Sequence, residues 1–469
     1  MMGSSLQQRP NIVFILSDDQ GPWALGCAGN SEIRTPHLDR LAAEGTRFSS
    51  FFCTSPVCSP ARASLLTGRI PSQHGVHDWI RGGNVGERPI EYLAGQTAYT
   101  ELLAADGYTC GLSGKWHLGD SRTPQKGFTH WYVHQTGGSA YYNAPMIRDG
   151  ELIQEPGYLT DVITDDALTF LDAQRDGGPF YLSVHYTAPH SPWIDNHPRE
   201  YVEMYDDCAF DSCPQEPKHP WSIRTAPWSD NQRENLKGYF AAVTAMDANI
   251  GRILDKLEEM GVRGDTLVCF MSDNGFNCGH HGIWGKGNGT FPFNMFDNSV
   301  KVPAIFSQPG RIPQGRVCDE LVSGYDFMPT LLEYVGGLTH PEAEKLPGRS
   351  FLPELLGEES GGGRDDIVIY DEYGPVRMVR TREWKYVHRY PYGPHELYHI
   401  AADPEERTNL IDVPEAEEHR RAMLDRLNRW FVTYADPRRD GSREAVTGFG
   451  QLELAGPDGQ GRKTYQEES

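Results

Sequence analysis

The chain has 469 residues, 38% hydrophobic and 23% charged, the balance of a soluble globular protein with room for one large domain and a smaller one. Its net charge of −22 argues against nucleic acid and against membrane surfaces as partners, because both are anionic. No segment approaches the roughly 18 apolar residues needed to cross a bilayer. The nine cysteines are odd in number and irregularly spaced, so they read as mostly reduced thiols. Cys208 and Cys213 are near enough to pair, but a loop holding two thiols is the better reading. Met1 to Pro10 has no apolar core and is not a signal peptide, which reads as cytoplasmic, or as exported with the signal already removed.

Short apolar runs alternate with helical patterns, which predicts an α/β fold with a large, mostly parallel sheet sandwiched by helices. Asn11 to Ser17 is a continuous apolar run suited to a central strand, and it ends in Asp18-Asp19. Thr35-Pro36 opens a helix that runs to Glu44. Cys58 stands at the start of another helix, in which Pro60 comes early and good helix formers follow. Its free N–H groups would favour an oxyanion there, and Arg62 lies one turn on. A short strand, Tyr108 to Leu112, leads into Lys115-Trp116-His117, and residues two apart on extended backbone face the same way. Lys115 and His117 could then reach one oxyanion.

Phe180 to Tyr186 is a further buried strand, followed by His190 in Ala188-Pro189-His190. The Pro-, Trp- and Asp-rich span from Ser191 to Asp230 reads as long loops around an opening. Apolar residues from Tyr239 to Met260 recur every three or four positions and predict one long amphipathic helix ending at Gly261. Thr266 to Ser272 is a strand ending in Asp273-Asn274. Ligands of open α/β sheets bind beyond the carboxyl ends of strands. Three carboxylates and an amide at two such ends are hard oxygen donors, suited to Ca²⁺ or Mg²⁺ and not to zinc.

Gly357 to Arg364 reads as a linker, dividing a catalytic unit, 1–356, from a C-terminal α+β subdomain, 365–469. In the latter, Asp366 to Tyr373, Val376 to Arg389 and His395 to Ile400 read as antiparallel strands, with a helix from Glu415 to Tyr434. The stretch after Asp436 is polar and Gly-rich and reads as a surface-hugging or frayed tail.

The stretch CSPARASLLTGR, Cys58 to Arg69, resembles the signature of the type I sulfatases of the alkaline phosphatase superfamily. The order Asp18-Asp19, Cys58, Lys115-Trp116-His117, His190, Asp273-Asn274 and Lys286 resembles the same family, as do Trp384-Lys385-Tyr386 and Glu396-Leu397-Tyr398 in the subdomain. The resemblance implies that Cys58 is oxidised to formylglycine by a formylglycine-generating enzyme. It implies one divalent metal, Ca²⁺ or else Mg²⁺, held by Asp18, Asp19, Asp273, Asn274 and the modified Cys58. One hydroxyl of the hydrated aldehyde would attack sulfur, and the second would then lose its proton as sulfate leaves. Arg62 would hold the hydrate, Lys115 and Lys286 would grip sulfate, His117 would be the base, and His190 or Lys286 would protonate the leaving oxygen.

The expected activity is hydrolysis of a sulfate monoester on a saccharide or small molecule. Two alternatives are a phosphonate or phosphate ester hydrolase of the same superfamily and a non-catalytic sulfoglycan-binding protein. The segment Asn277 to Pro292 is richer in Gly and His than the resemblance predicts around Lys286. Trp79, Trp193, Trp221 and Trp228 read equally as loop anchors or as faces that stack on sugar rings; with His134, Tyr142, Arg377 and His388 they point to a carbohydrate sulfate over a small aryl sulfate.

Overall fold

The computed structural model describes residues 9–175, 177–223, 231–358 and 368–467. Trp228 and most of the expected linker lie outside the described residues. The expected α/β sandwich is present, built on an 11-stranded sheet. Eight strands position the site: β1 (Asn11–Ser17), β2 (Thr46–Phe52), β3 (Thr109–Gly114), β4 (His130–His134), β5 (Ala144–Arg148), β6 (Glu151–Glu155), β7 (Phe180–His185) and β8 (Thr266–Ser272). The sheet runs β2, Lys301–Ser307, β8, β1, β7, β3, β4, β5, β6, and its central five strands, β8 to β4, are parallel. At its flanks, Lys301–Ser307 pairs antiparallel to both β2 and β8, and β5 and β6 continue beyond β4 as antiparallel strands.

The central strands are apolar on both faces because helices cover both faces. On one side Ile12, Phe14 and Leu16 pack with Phe306, Phe327 and Leu331; on the other Val13 and Ile15 pack with Ile250, Leu254 and Leu257 of the helix Gln232–Glu259. That helix begins seven residues before the periodic stretch at Tyr239, on the polar turn Gln232–Gly238. The register matters most. Ser17 pairs with Ser272 and Leu16 with His185, while Gly114 also pairs with His185. Strands β1, β8, β7 and β3 therefore end level, and the residues that follow them emerge along one edge.

A second sheet of four antiparallel strands, Ile369–Tyr373, Val376–Arg380, Trp384–Arg389 and Glu396–His399, is covered by the helix Glu417–Tyr434 through Met423, Leu427 and Phe431. The run Val376 to Arg389 is thus two strands, not one; the polar turn Thr381–Glu383 reverses the chain between them. Lys385 is fully buried, with Nζ 2.8 Å from Asp297 Oδ1 and 2.5 Å from Glu406 Oε1, and this pairing joins the small sheet to the large one. The segment after Asp436 differs from a frayed tail. It returns to the large sheet's half of the molecule, where Gln451 is completely buried and its amide donates to the carbonyls of Gly75 and Glu453.

Candidate active site

After the first α-helix, α1 (Pro36–Ala43), the helix α2 (Cys58–Thr67) is buried along its whole length and starts with Cys58 in its first turn. It aims its free N–H groups at the edge where β1 and β8 end. Asp273 N donates to Ser17 O (3.1 Å) and Asp19 N to Asp273 Oδ1 (3.3 Å), so the level strand ends bring the two acidic pairs together. Cys58 Sγ lies 3.3 Å from Asp18 Oδ1 and 2.7 Å from Lys286 Nζ. Donor atoms of Asp18, Cys58 and Asp273 all fall within 4.8 Å of one another.

Cations are interleaved with these acids. Lys115 forms a fully buried ion pair with Asp18. Lys286 Nζ is 2.5 Å from Asp19 Oδ1. Arg62 sends Nε to Asp273 Oδ2 (2.9 Å) and Nη1 to the Lys115 carbonyl (3.1 Å). Burial alone would raise the Asp18 carboxyl, but Lys115, His190, Arg62 and Lys286 outweigh it and hold the group well below the usual carboxylate range. Burial and the neighbouring Asp18 charge instead raise Asp273 to about 7, against the opposing pull of Arg62. Carboxylates this close resist ionising together unless a cation joins them. Burial, with Asp18 beside it, pushes the Cys58 thiol up to about 12. Unmodified, Cys58 is therefore a neutral thiol and a poor nucleophile.

The residues fit a divalent metal. Asn274 Nδ2 donates to Asp19 Oδ1 and to the Gly275 carbonyl, both at 2.8 Å. That leaves Asn274 Oδ1 buried with no hydrogen-bond partner among the described residues, an acceptor held ready for a cation. Apart from residue 58, whose unmodified sulfur is soft, the remaining donors are carboxylate oxygens, so that oxygen set is hard and suits Ca²⁺ or Mg²⁺.

Two imidazoles line the same cleft. His117 follows β3 but leaves extended geometry, with φ at 55°, so an alternating strand does not explain where it faces. Ser59 Oγ donates to the His117 carbonyl (2.9 Å) and fixes this turn against α2. His117 Nε2 is 2.9 Å from the Ile80 carbonyl, which can only accept, so Nε2 carries the proton and Nδ1 keeps the lone pair. Nδ1 is buried and has no partner among the described residues. A Cβ on Gly137 would come within 2.3 Å of the His117 ring, which explains the glycine behind it. His190 Nδ1 is bonded in the same way to the Ser191 carbonyl (2.6 Å), so its Nε2 faces Asp19 Oδ2 at 3.8 Å. Burial lowers both histidines. Lys115 and Arg62 lower His117 further, whereas Asp18 and Asp19 favour a proton on His190.

The histidines of the unusual Asn277–Pro292 segment stay outside the cleft. His281 stacks on Phe296 and His280 lies against Trp23. Of the residues expected to stack on sugar, Trp79 lines the cleft. Trp193 is buried among Tyr239, Phe276 and Trp284, with Nε1 bonded to the Pro189 carbonyl. Trp221 lies under Arg389, and Tyr142 sits against Tyr158. Arg377 is tied to Glu372 and Asp440, His388 stacks on His395, and His134 is bonded to Thr136 and Ser139. Packing and ion pairing claim these side chains first. Sequence reasoning missed Thr136 to Ser139, Ser59, Arg81 and the stretch Gly448-Phe449, all of which shape the 690 Å³ cleft or its supports. Only the glycines of Gly137-Gly138 carried a local signal.

Residues 10–337 match the family described as Sulfatase, and residues 279–432 match one described as N-sulphoglucosamine sulphohydrolase, C-terminal. The chain is 28% identical to an N-acetylglucosamine-6-O-sulfatase of Bacteroides thetaiotaomicron, over 92% of this chain and 87% of that protein. It is 32% identical to an N-acetylgalactosamine-6-sulfatase of Canis lupus familiaris, over 80% of this chain and 70% of the relative. A solved structure in complex with its substrate D-glucosamine-2-N,6-O-disulfate superposes with a TM-score of 0.78 at 25% identity, covering 93% of this chain and all of that one.

Proposed function

The chain belongs to the sulfatase family and is a sulfuric ester hydrolase, and on that premise we propose that it cleaves a sulfate monoester of a carbohydrate using a formylglycine made from Cys58. The observation that carries the reading is Cys58 in the first turn of α2, with Lys286 Nζ at 2.7 Å and Asp18 at 3.3 Å. A neutral thiol there has no use as a nucleophile, whereas an aldehyde hydrate has two hydroxyls for the same surroundings. Sγ marks where those oxygens would stand.

Asp18, Asp19, Asp273 and Asn274, with the modified residue 58, would hold one Ca²⁺ or Mg²⁺. That ion would supply positive charge at the reacting oxygens. Three carboxylates (Asp18, Asp19, Asp273) are already balanced by Lys115, Lys286 and Arg62, so a divalent ion leaves the pocket cationic. An anionic ester can then enter a chain whose net charge is −22.

Lys115 and Lys286 orient sulfate oxygens, and Arg62, anchored by its bonds to Asp273 and the Lys115 carbonyl, holds the hydrate. His117 takes the proton of the second hydroxyl on Nδ1, the lone pair that its bond to Ile80 leaves free. His190, once protonated, delivers a proton from Nε2 to the leaving oxygen; burial lowers its pKa, a shift that Asp18 and Asp19 oppose, and that makes its cationic form a strong acid. Lys286 is the alternative donor; its contacts with Asp19 and residue 58 favour His190 for that role. The substrate assignment draws on the relatives that act on amino-sugar sulfates and on Trp79 in the cleft.

Mass spectrometry of the Cys58 peptide, taken from protein made together with a formylglycine-generating enzyme, tests the nucleophile. Conversion of –CH₂SH to –CHO removes about 18 Da. Full sulfatase activity from protein whose Cys58 peptide keeps the thiol mass would refute the proposal.

A further inference from the structure

Beyond the reacting atoms the cleft continues to a rim formed by Trp79, Arg81, Asn288, Gly448 and Phe449. The segment Trp79–Gly82 is bonded on two sides. Toward the nucleophile, Ile80 N donates to Ser59 Oγ and the Ile80 carbonyl accepts from His117 Nε2, both at 2.9 Å. On the outer side Arg81 N and Gly82 N donate to the Gln451 carbonyl (2.8 and 3.1 Å), and Gln451 N donates to the Trp79 carbonyl (2.7 Å). Asp78 clamps the same stretch: its Oδ2 accepts from Gly448 N (3.0 Å) and Gly450 N (3.1 Å). Trp79 Nε1 and Asn288 Nδ2 both donate to the Gly448 carbonyl. The backbone of Arg81 is therefore rigidly placed relative to residue 58.

Its side chain is exposed and uncommitted in charge. Arg81 Nη1 donates to the Phe449 carbonyl at 3.3 Å, and the guanidinium lies 5.7 Å from the Trp79 ring centroid. Arg81 has no carboxylate partner among the described residues. The cations of the floor differ, since Lys115, Lys286 and Arg62 each face an aspartate. An unpaired, planar, five-donor cation beside an aromatic face is the apparatus for an anion carried on a ring.

We propose that Arg81, flanked by Trp79 and Phe449, binds a second anionic group, sulfate or carboxylate, on the saccharide whose ester is cleaved. This rests on the carbohydrate-sulfatase reading above and adds that the preferred substrate is at least a dianion. The Gln451 bridge and the Asp78 clamp position the subsite.

Arg81→Gln and Arg81→Lys test it in the full chain with Cys58 converted. Four substrates are compared: an aryl sulfate, a 6-sulfated hexosamine, its N,6-disulfated form, and a 6-sulfated hexosamine linked to a uronic acid. Arg81→Gln is expected to raise KM about tenfold for whichever dianion the parent prefers, the weight of one charge-assisted contact near solvent. Turnover number and the two monoanionic substrates should be unaffected, and Arg81→Lys should retain part of the affinity. Rising salt should erode the parent's preference, since an exposed charge is screened. Loss confined to the disulfated sugar identifies sulfate, and loss confined to the uronide identifies carboxylate. Equal KM changes for monoanions and dianions, or none, overturn the subsite while aryl sulfate turnover keeps the sulfatase reading intact. A parent that cleaves none of the four overturns both.

Discussion

Ser59→Ala tests whether α2 and the His117 turn are one mechanical unit. Ser59 is completely buried, and its hydroxyl donates to the His117 carbonyl while accepting from Ile80 N, each at 2.9 Å. Alanine leaves one carbonyl and one N–H buried without a partner, at about 1–3 kcal/mol each, or about 2–6 kcal/mol together. Unfolding entropy of about 2.1 cal/mol/K per residue makes one degree worth roughly 1 kcal/mol for 469 residues, so the melting temperature should fall by about 2–6 °C. The kinetic effect should be larger. Ile80 also holds His117 Nε2, so both anchors of the base loosen, and a misplacement on the order of 1 Å can lower turnover by about a hundredfold. Differential scanning calorimetry and steady-state kinetics on an aryl sulfate give the two readings. A melting point within about 1 °C of the parent together with turnover within about twofold would refute the coupling.

Cys58→Ala should abolish hydrolysis without loss of fold; in a purified variant, turnover within about tenfold of the parent would contradict a nucleophile at this position. Chelation should remove activity, and Asp273→Ala should lose the bound ion; elemental analysis that finds stoichiometric zinc and no alkaline-earth ion would sink the hard-oxygen site. His117→Ala should release about one equivalent of alcohol per site and then stall, with turnover down about 10²–10⁴-fold, because the missing base acts after the alcohol departs. His190→Ala should show no such burst, and its defect should deepen as the leaving alkoxide becomes more basic; the opposite pattern would exchange the two roles.

Much of this was legible because the informative residues are local to strand ends. The apolar run Asn11–Ser17 and the run Thr266–Ser272 are buried on both faces, so their limits show in the sequence, and the acids just beyond them share an edge once the registers align. Lys301–Ser307 was harder to read, since it enters antiparallel between two strands from distant parts of the chain. Trp193 misled because an isolated tryptophan in a loop gives no sign of whether it points to solvent or, as here, to Tyr239 and Phe276. Arg81 and Gln451 carry no pattern at all. Their roles follow from one hydrogen-bonded bridge between segments far apart in sequence, which no local spacing encodes.

On the proposed formylglycine chemistry, the burial of Cys58 would impose an order of events on the making of this protein. In the folded chain the residue is 2% exposed, inside a helix whose every residue is buried, and no macromolecule could grasp that stretch without melting it. If Cys58 is converted to formylglycine as proposed, the converting enzyme would have to meet residues 58–69 while they are still an unstructured peptide. The residues that seal the cleft, Gly448 to Gln451, emerge from the ribosome last among its walls. At roughly 5–20 residues per second, synthesis leaves an interval of tens of seconds between the two. On that proposal activation and folding would compete for the same nascent segment, and a substitution that hastens closure of α2 against the sheet would yield a well-folded protein locked in its unconverted, inert form.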